Sequence, residues 1–217
     1  KYGMSLFFPN REMTAGCFLF PRCKIEYLLR CEVSMREYRL VLVGFGNVGK
    51  AFARLLMQKR DALRTRKDID FRVTGILTGR HGGAIHPQGI DLEKALHLLE
   101  SGGSLEALSA QPAPDDGVKF IEACDGDVMI ETTPVNHHSG QPAIDHIRTA
   151  LEKGMHAVTA NKGPVVHGYR TLTDLAARMG RKFYFESAVM DGAPIFSLFR
   201  ETLPLADLIS FRGILNS

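Results

Sequence analysis

Leu40-Val41-Leu42-Val43-Gly44-Phe45-Gly46-Asn47-Val48-Gly49 is the stretch on which the reading of this chain turns. Four consecutive apolar residues suit a parallel strand buried on both faces. They run straight into Gly44-x-Gly46-x-x-Gly49, and a helical pattern follows with Val48, Phe52, Leu55 and Leu56 on one stripe. Strand, glycine pattern and helix in succession make a turn suited to the pyrophosphate of a dinucleotide. The glycines divide the work into a tight turn, room for backbone to approach pyrophosphate, and close packing of helix on strand. The helix start adds free N–H groups and the positive end of its dipole. Phe45, Asn47 and Val48 complete the loop, the last two contributing mainly main chain. Such a pattern alone is weak, since a structural turn with no ligand also satisfies it; its place between strand and helix gives it weight.

Outward from this turn, strands and helices alternate. Residues 71–77 read as a second strand. Asp91 is placed to cap a helix carrying Leu92, Ala95, Leu96 and Leu99, which Gly102-Gly103 ends. Residues 111–117 are a turn-rich connection and 127–131 a short buried strand. Residues 143–153 form a helix with Gly154 as its C′ residue. Strand 156–159, helix 171–179 stopped by Gly180, and strand 182–186 complete the pattern. The repetition predicts an α/β fold, a Rossmann-type doubly wound parallel sheet with helices on both faces, over residues 36–182.

Residues 1–35 form an irregular extension with no sustained period of 2 or 3.6. The apolar piece at 17–20 is too short for a signal-peptide core. Met35, just ahead of the first strand, is expected to be the natural start; a disordered arm is the alternative. Three of the four cysteines (Cys17, Cys23, Cys31) lie in this extension at no zinc spacing, which suits a reducing compartment and a fold independent of disulfides. Cys124 is expected to be a buried small apolar side chain. The formal charge of +3 is small and evenly spread, which argues against nucleic acid. No run approaches the roughly 20 apolar residues of a membrane span. His137 and His138 are adjacent, and His81, His86 and His167 lack partners at ligand spacing, so no histidine metal site is expected.

The second strand ought to end in a carboxylate for the ribose of NAD. Residues 74–81 instead read T-G-I-L-T-G-R-H, and Asp68 and Asp70 come too early. Thr78 and Arg80 stand at the strand end, where a hydroxyl and a cation can take a 2′-phosphate, so NADP is favoured over NAD. A solvated loop arginine is the plainer reading of Arg80.

Three further segments resemble the homoserine dehydrogenase family in order and spacing: Glu131-Thr132-Thr133-Pro134, Thr159-Ala160-Asn161-Lys162-Gly163-Pro164, and Glu186-Ser187-Ala188-Val189-Met190-Asp191-Gly192-Ala193-Pro194-Ile195. The tail Gly213-Ile214-Leu215-Asn216-Ser217 is similar to the opening of a further motif of that family. The resemblance covers residues 36–217. It implies an enzyme that interconverts L-homoserine and L-aspartate 4-semialdehyde with NADP or NAD, in cytoplasmic threonine and methionine synthesis, as a homodimer. It further implies that residues 183–217 begin an α+β substrate and dimerisation domain, left incomplete, so that these 217 residues bind dinucleotide with little turnover. Thr132 and Thr133, at the end of a central strand, can reach the nicotinamide ribose, or simply cap a helix. Lys162 follows a strand end and can stabilise charge on the substrate oxygen during hydride transfer; the family's matching lysine lies at cofactor and substrate. By match, Glu186, Val189, Asp191 and Ala193 supply oxygens to a sodium ion, as a hard cation requires; a plain hinge between domains is the alternative. Met190 and Asp191 stand where many relatives carry small residues. Two other readings stay open: an oxidoreductase for another small hydroxy acid or aldehyde, and a non-catalytic dinucleotide sensor indifferent to Lys162.

Overall fold

The computed structural model describes residues 35–213. The readings made on residues 1–34 and 214–217, including Cys17, Cys23 and Cys31, lie outside the described residues. Strand β1 (Arg36–Val43) leads into helix α1 (Asn47–Lys67), then β2 (Ile69–Leu77), β3 (Gly83–Ile85) and α2 (Leu92–Glu100). Helix α3 (Gly117–Ala123) precedes β4 (Val128–Glu131), α4 (Ala143–Glu152), β5 (His156–Thr159), α5 (Lys162–Arg178), β6 (Phe183–Tyr184) and α6 (Ile195–Thr202). The strands form one sheet in the order β3-β2-β1-β4-β5-β6. Every pairing is parallel except β2 with β3. The loops after β1 and β4 therefore part company at the centre of the sheet, and the crevice between them is where ligands of open α/β sheets bind.

The antiparallel β3 departs from the fully parallel sheet expected. Its cause is local: Thr78 N and Oγ1 both donate to Gly82 O, at 3.0 and 2.9 Å, and close a tight turn. So short a link cannot make the crossover of a dozen residues that a parallel return needs.

Alternation along the strands splits the core in two. Val41, Val43, Met129 and Ala157 face a layer built from α3, α4 and α5, with Phe120, Ile147 and Leu172 at its heart. Leu40, Leu42, Phe71, Val73, Ile76 and Ile130 face the other way. Val73 and Ile76 share a face because the β1–β2 register shifts at Leu40/Val41. Thr74, in the bulge, is buried and donates its hydroxyl to Asp125 O at 2.6 Å. Cys124 is fully buried, and burial pushes its thiol up to about 12.

The stripe anticipated for α1 is rotated. Phe52 and Leu56 pack inward as expected, but Val48 and Leu55 are 55% and 48% exposed. The inward face runs through Gly49, which has no side chain, and Ala53, whose methyl is small, so the helix backbone can lie close to the sheet. On this side an apolar trough of about 490 Å³ stays open, lined by Leu40, Phe52, Leu56, Val128, Ile130 and Val158 among others.

Two boundaries also differ from expectation. Helix α5 begins at Lys162 rather than near residue 171, because the Asn161 side chain caps it (Oδ1 accepts from Gly163 N at 2.9 Å) and proline is tolerated in a first turn. The last strand is only Phe183–Tyr184, and Glu186 lies in a one-turn 3₁₀ segment, Glu186–Ala188. An aromatic cluster ties α5, this turn and α6 together: Phe185 meets Tyr169 at 5.6 Å, Phe183 at 5.1 Å and Phe196 at 5.0 Å.

Candidate functional site

The three glycines of the loop sit in three different environments. Gly44 has φ +89°, and a Cβ there would lie 2.6 Å from Thr132 C and 2.7 Å from Thr133 N. Its chain direction and its closeness to the β4 loop both exclude a side chain. A Cβ on Gly49 would meet Gly44 O at 2.6 Å, so this glycine lets α1 press on the turn. A Cβ on Gly46 would meet nothing within 4 Å. Helix α1 has no side-chain cap and no acidic residue in its first turn. Its leading N–H groups thus present a positive end to the solvent side of the turn.

These groups open on a cavity of about 560 Å³ at the C-terminal ends of the strands. Phe45, Gly46, Asn47 and Val48 line it from the loop, Thr78 and Arg80 from the end of β2, and Thr132, Thr133 and Pro134 from the end of β4. Gly44 and Gly49 lie behind this surface, and Lys162 is not in its lining. Thr78 is less available than expected: its hydroxyl donates to Gly82 O and accepts from His81 N at 2.8 Å, so its proton is spent inside the turn. Arg80 is exposed at the rim. Lys50 and His81 join it there, and no carboxylate lines the cavity. The sequence reading assigns neither to the coenzyme: it weighs His81 only as a metal ligand, and the signal for Lys50 is its place directly after the third glycine.

The β4 and β5 loops are joined by hydrogen bonds. Thr132 Oγ1 donates to Gly44 O at 2.6 Å, tying the β4 loop to the glycine turn. Glu131 is fully buried. Its Oε1 accepts from Thr133 N at 2.8 Å and from the Thr133 hydroxyl, and its Oε2 accepts from Thr159 Oγ1 at 2.5 Å. Asn161 Nδ2 donates to Thr133 O at 3.2 Å, bringing the β5 loop alongside. Lys162, half-buried, is the first residue of α5 and follows directly. Glu131 and Asn161 entered the sequence reading only as parts of motifs.

A second cavity of about 400 Å³ shares Thr78, Gly79 and Thr133 with the first and reaches His146. Burial holds the His146 imidazole below its ordinary value, and its Nδ1 has no hydrogen-bond partner among the described residues. Local pattern does not reveal this residue, since its burial depends on how α4 packs.

The 186–193 segment takes a definite form. Glu186 accepts from Ser197 N at 3.0 and 3.1 Å and from Ser197 Oγ at 2.6 Å, so its carboxylate caps α6. Partial burial works against ionisation there, yet the Ser197 hydroxyl and N–H hold the carboxyl below its usual range. Val189 follows in extended conformation, Met190 and Asp191 take φ +55° and +49°, and Ala193 N donates to Met190 O at 3.0 Å. Among the described residues no three or more His, Cys, Asp or Glu side chains gather as a metal cluster.

Comparison with known proteins adds a family. The model of the homoserine dehydrogenase NAD binding domain matches residues 44–186. A homoserine dehydrogenase of Methanocaldococcus jannaschii is 37% identical over 177 residues, which are 82% of this chain and 52% of that protein. An NAD(+)-dependent homoserine dehydrogenase of Pseudomonas canavaninivorans is 32% identical over 182 residues, 84% of this chain and 52% of that protein. Among solved structures, a hyperthermophilic archaeal homoserine dehydrogenase mutant in complex with NADPH aligns with a TM-score of 0.65 and 27% identity, covering 77% of this chain and 49% of the other. The chain spans about half the length of the curated relatives it matches.

Proposed function

The chain belongs to the homoserine dehydrogenase family, and from that premise we propose that it is the coenzyme-binding part of an enzyme interconverting L-homoserine and L-aspartate 4-semialdehyde. The observation that carries this is the uncapped start of α1, which opens on a cavity that the glycine loop, Arg80 and Thr132–Thr133 line together. The residues present fit a dinucleotide. Gly46 leaves open space for a phosphate to approach the N–H groups of Asn47 and Val48, and no carboxylate repels it.

A bound nicotinamide would supply the hydride acceptor for C4 of homoserine and, in its reduced form, the hydride donor for the aldehyde carbon. The chain holds the other parts in place. Main chain at Thr132 and Thr133 would meet the nicotinamide ribose. Lys162 would donate a hydrogen bond to the substrate oxygen and stabilise the charge that grows there as the hydroxyl proton leaves. The N-terminus of α5 adds to that positive field, and no acidic residue in its first turn offsets it. Lys50, Arg80 and His81 in the cavity lining, which holds no carboxylate, support NADP over NAD. Glu186, Val189, Asp191 and Ala193 remain the proposed sodium ligands. They fit only in part, because both Glu186 oxygens already accept from Ser197, and no step of the reaction is assigned to the ion.

A fluorescence titration tests the reading directly. NADPH should give a saturable signal, at least tenfold tighter than NADH. In the whole enzyme Lys162→Met should cut homoserine-dependent turnover by about 100-fold, in the range of lost transition-state charge stabilisation, with coenzyme affinity little changed. No saturable signal would sink the proposal, and indifference to Lys162→Met would favour a coenzyme sensor without chemistry.

A further inference from the structure

Glu131 is a fully buried carboxylate in the middle of the sheet, paired in register with Val43 on one side and Thr159 on the other. It is satisfied by two hydroxyls and a main-chain N–H rather than by a cation. Burying so polar a side chain is costly unless its hydrogen bonds are made, and apolar groups of the same shape in place of the bonded set can serve stability as well. The carboxylate therefore needs a reason beyond holding the core together.

Its hydrogen bonds supply one, because they close a ring between the loops after β4 and β5, on one side of the crevice. Oε1 holds the Thr133 N–H and hydroxyl. Oε2 holds the Thr159 hydroxyl, whose oxygen accepts from Asn161 N at 3.0 Å. Asn161 Oδ1 then caps α5 through Gly163 N, and its Nδ2 returns to Thr133 O. One carboxylate thus fixes the loop after β4 and the loop after β5, with Lys162 opening the helix that follows the second. We propose that Glu131 is a positioning residue that sets Thr133 and Lys162 in mutual register at the nicotinamide end of the crevice. This role rests on the coenzyme reading above, and it assigns Glu131 no contact with coenzyme or substrate.

Hydrogen–deuterium exchange on the intact chain tests the holding role. Glu131→Leu should speed exchange at residues 132–133 and 160–163 at least tenfold while α1 keeps its protection. Thr159→Val cuts only the link to β5 and serves if the leucine variant does not fold; it should loosen residues 160–163 alone. Glu131→Gln, which keeps the shape and an acceptor for Thr133 N, should stay within threefold of the parent chain. Two ligands then separate positioning from general damage. In Thr159→Val the adenosine half, 2′-phospho-ADP-ribose, should bind within threefold of the parent affinity. NADPH should lose its additional affinity and the fluorescence gain of its reduced ring. Unchanged exchange in Glu131→Leu and Thr159→Val, or equal losses for the two ligands, overturns the proposal. A parent chain that binds neither ligand refutes the coenzyme reading instead, and the exchange data still decide whether Glu131 holds the loops.

Discussion

Gly46→Ala puts a methyl group where nothing lies within 4 Å, whereas Gly49→Ala puts one 2.6 Å from the Gly44 carbonyl oxygen. The two substitutions are chemically identical and three residues apart, so they separate folding from binding. Gly46 has a negative φ of −79°, and alanine there should change stability by no more than about 1 kcal/mol. Its methyl, however, occupies the approach to the N–H groups of Asn47 and Val48. Losing one charge-assisted hydrogen bond to phosphate costs about 1.5–3 kcal/mol, which is roughly a 10- to 150-fold weaker coenzyme affinity. At Gly49 alanine gains about 1 kcal/mol of helix propensity, but the clash is with main chain and forces α1 off the turn, an overpacking cost of about 1–3 kcal/mol. Urea denaturation and NADPH titration on both variants give four numbers. The expected pattern is a stable Gly46→Ala that binds poorly and a Gly49→Ala that is no more stable than the parent despite its better helix former. A Gly46→Ala protein that binds NADPH like the parent would refute the assignment of that space to phosphate.

Other outcomes follow from the same geometry. Arg39 grips Asp127 through N, Nε and Nη2 at 2.8, 3.1 and 2.8 Å, and the guanidinium holds the Asp127 carboxyl below its usual range. Its contribution is therefore complete above the unfolded value of about 3.9 and is lost as pH falls through the lower native value. Solvent screening keeps it to about 1 kcal/mol or less, and the acid limb of a urea-midpoint profile should shrink by that amount in Asp127→Asn. Asp91 accepts from Glu93 N and Lys94 N at 3.0 and 3.1 Å, so Asp91→Ala should lower stability by about 1 kcal/mol in the same assay. With Cys17, Cys23 and Cys31 changed to serine, Cys124 should resist a thiol reagent at pH 8 until denaturant is added, because it is buried and its thiol is pushed up to about 12; rapid labelling of the native chain would contradict its placement.

What was legible in the sequence was whatever depends on near neighbours. The strand 156–159 and the Asp91 cap need only local pattern, and both stand in the structure where the pattern puts them. The start of α5 was missed because glycine and proline at 163–164 read as a turn, while the deciding fact is one side-chain bond from Asn161. The rotation of α1 was missed because four large apolar residues outweighed Gly49 and Ala53, although close approach to a sheet favours the small ones. Strand β3 was invisible because Gly83-Ala84-Ile85 is too short for any period and is defined by its pairing with β2. In the site, the glycine loop was plain, whereas Lys50 and His81 reach the cavity only because α1 and the β2 turn converge. Thr78 was misjudged for the opposite reason: its residue type suited a phosphate, but its hydroxyl serves the turn.

The open trough between α1 and the β4–β5 side of the sheet has a colloidal consequence. Solvent entering it would meet aliphatic and aromatic carbon among the described residues. Strongly hydrated salts such as sulfate raise the free energy of that wetting, so the described residues should self-associate in ammonium sulfate at concentrations that leave a protein with fully clad sheets dispersed. Storage and crystallisation of this chain are thereby steered towards low salt, where the exposed carbon is least penalised.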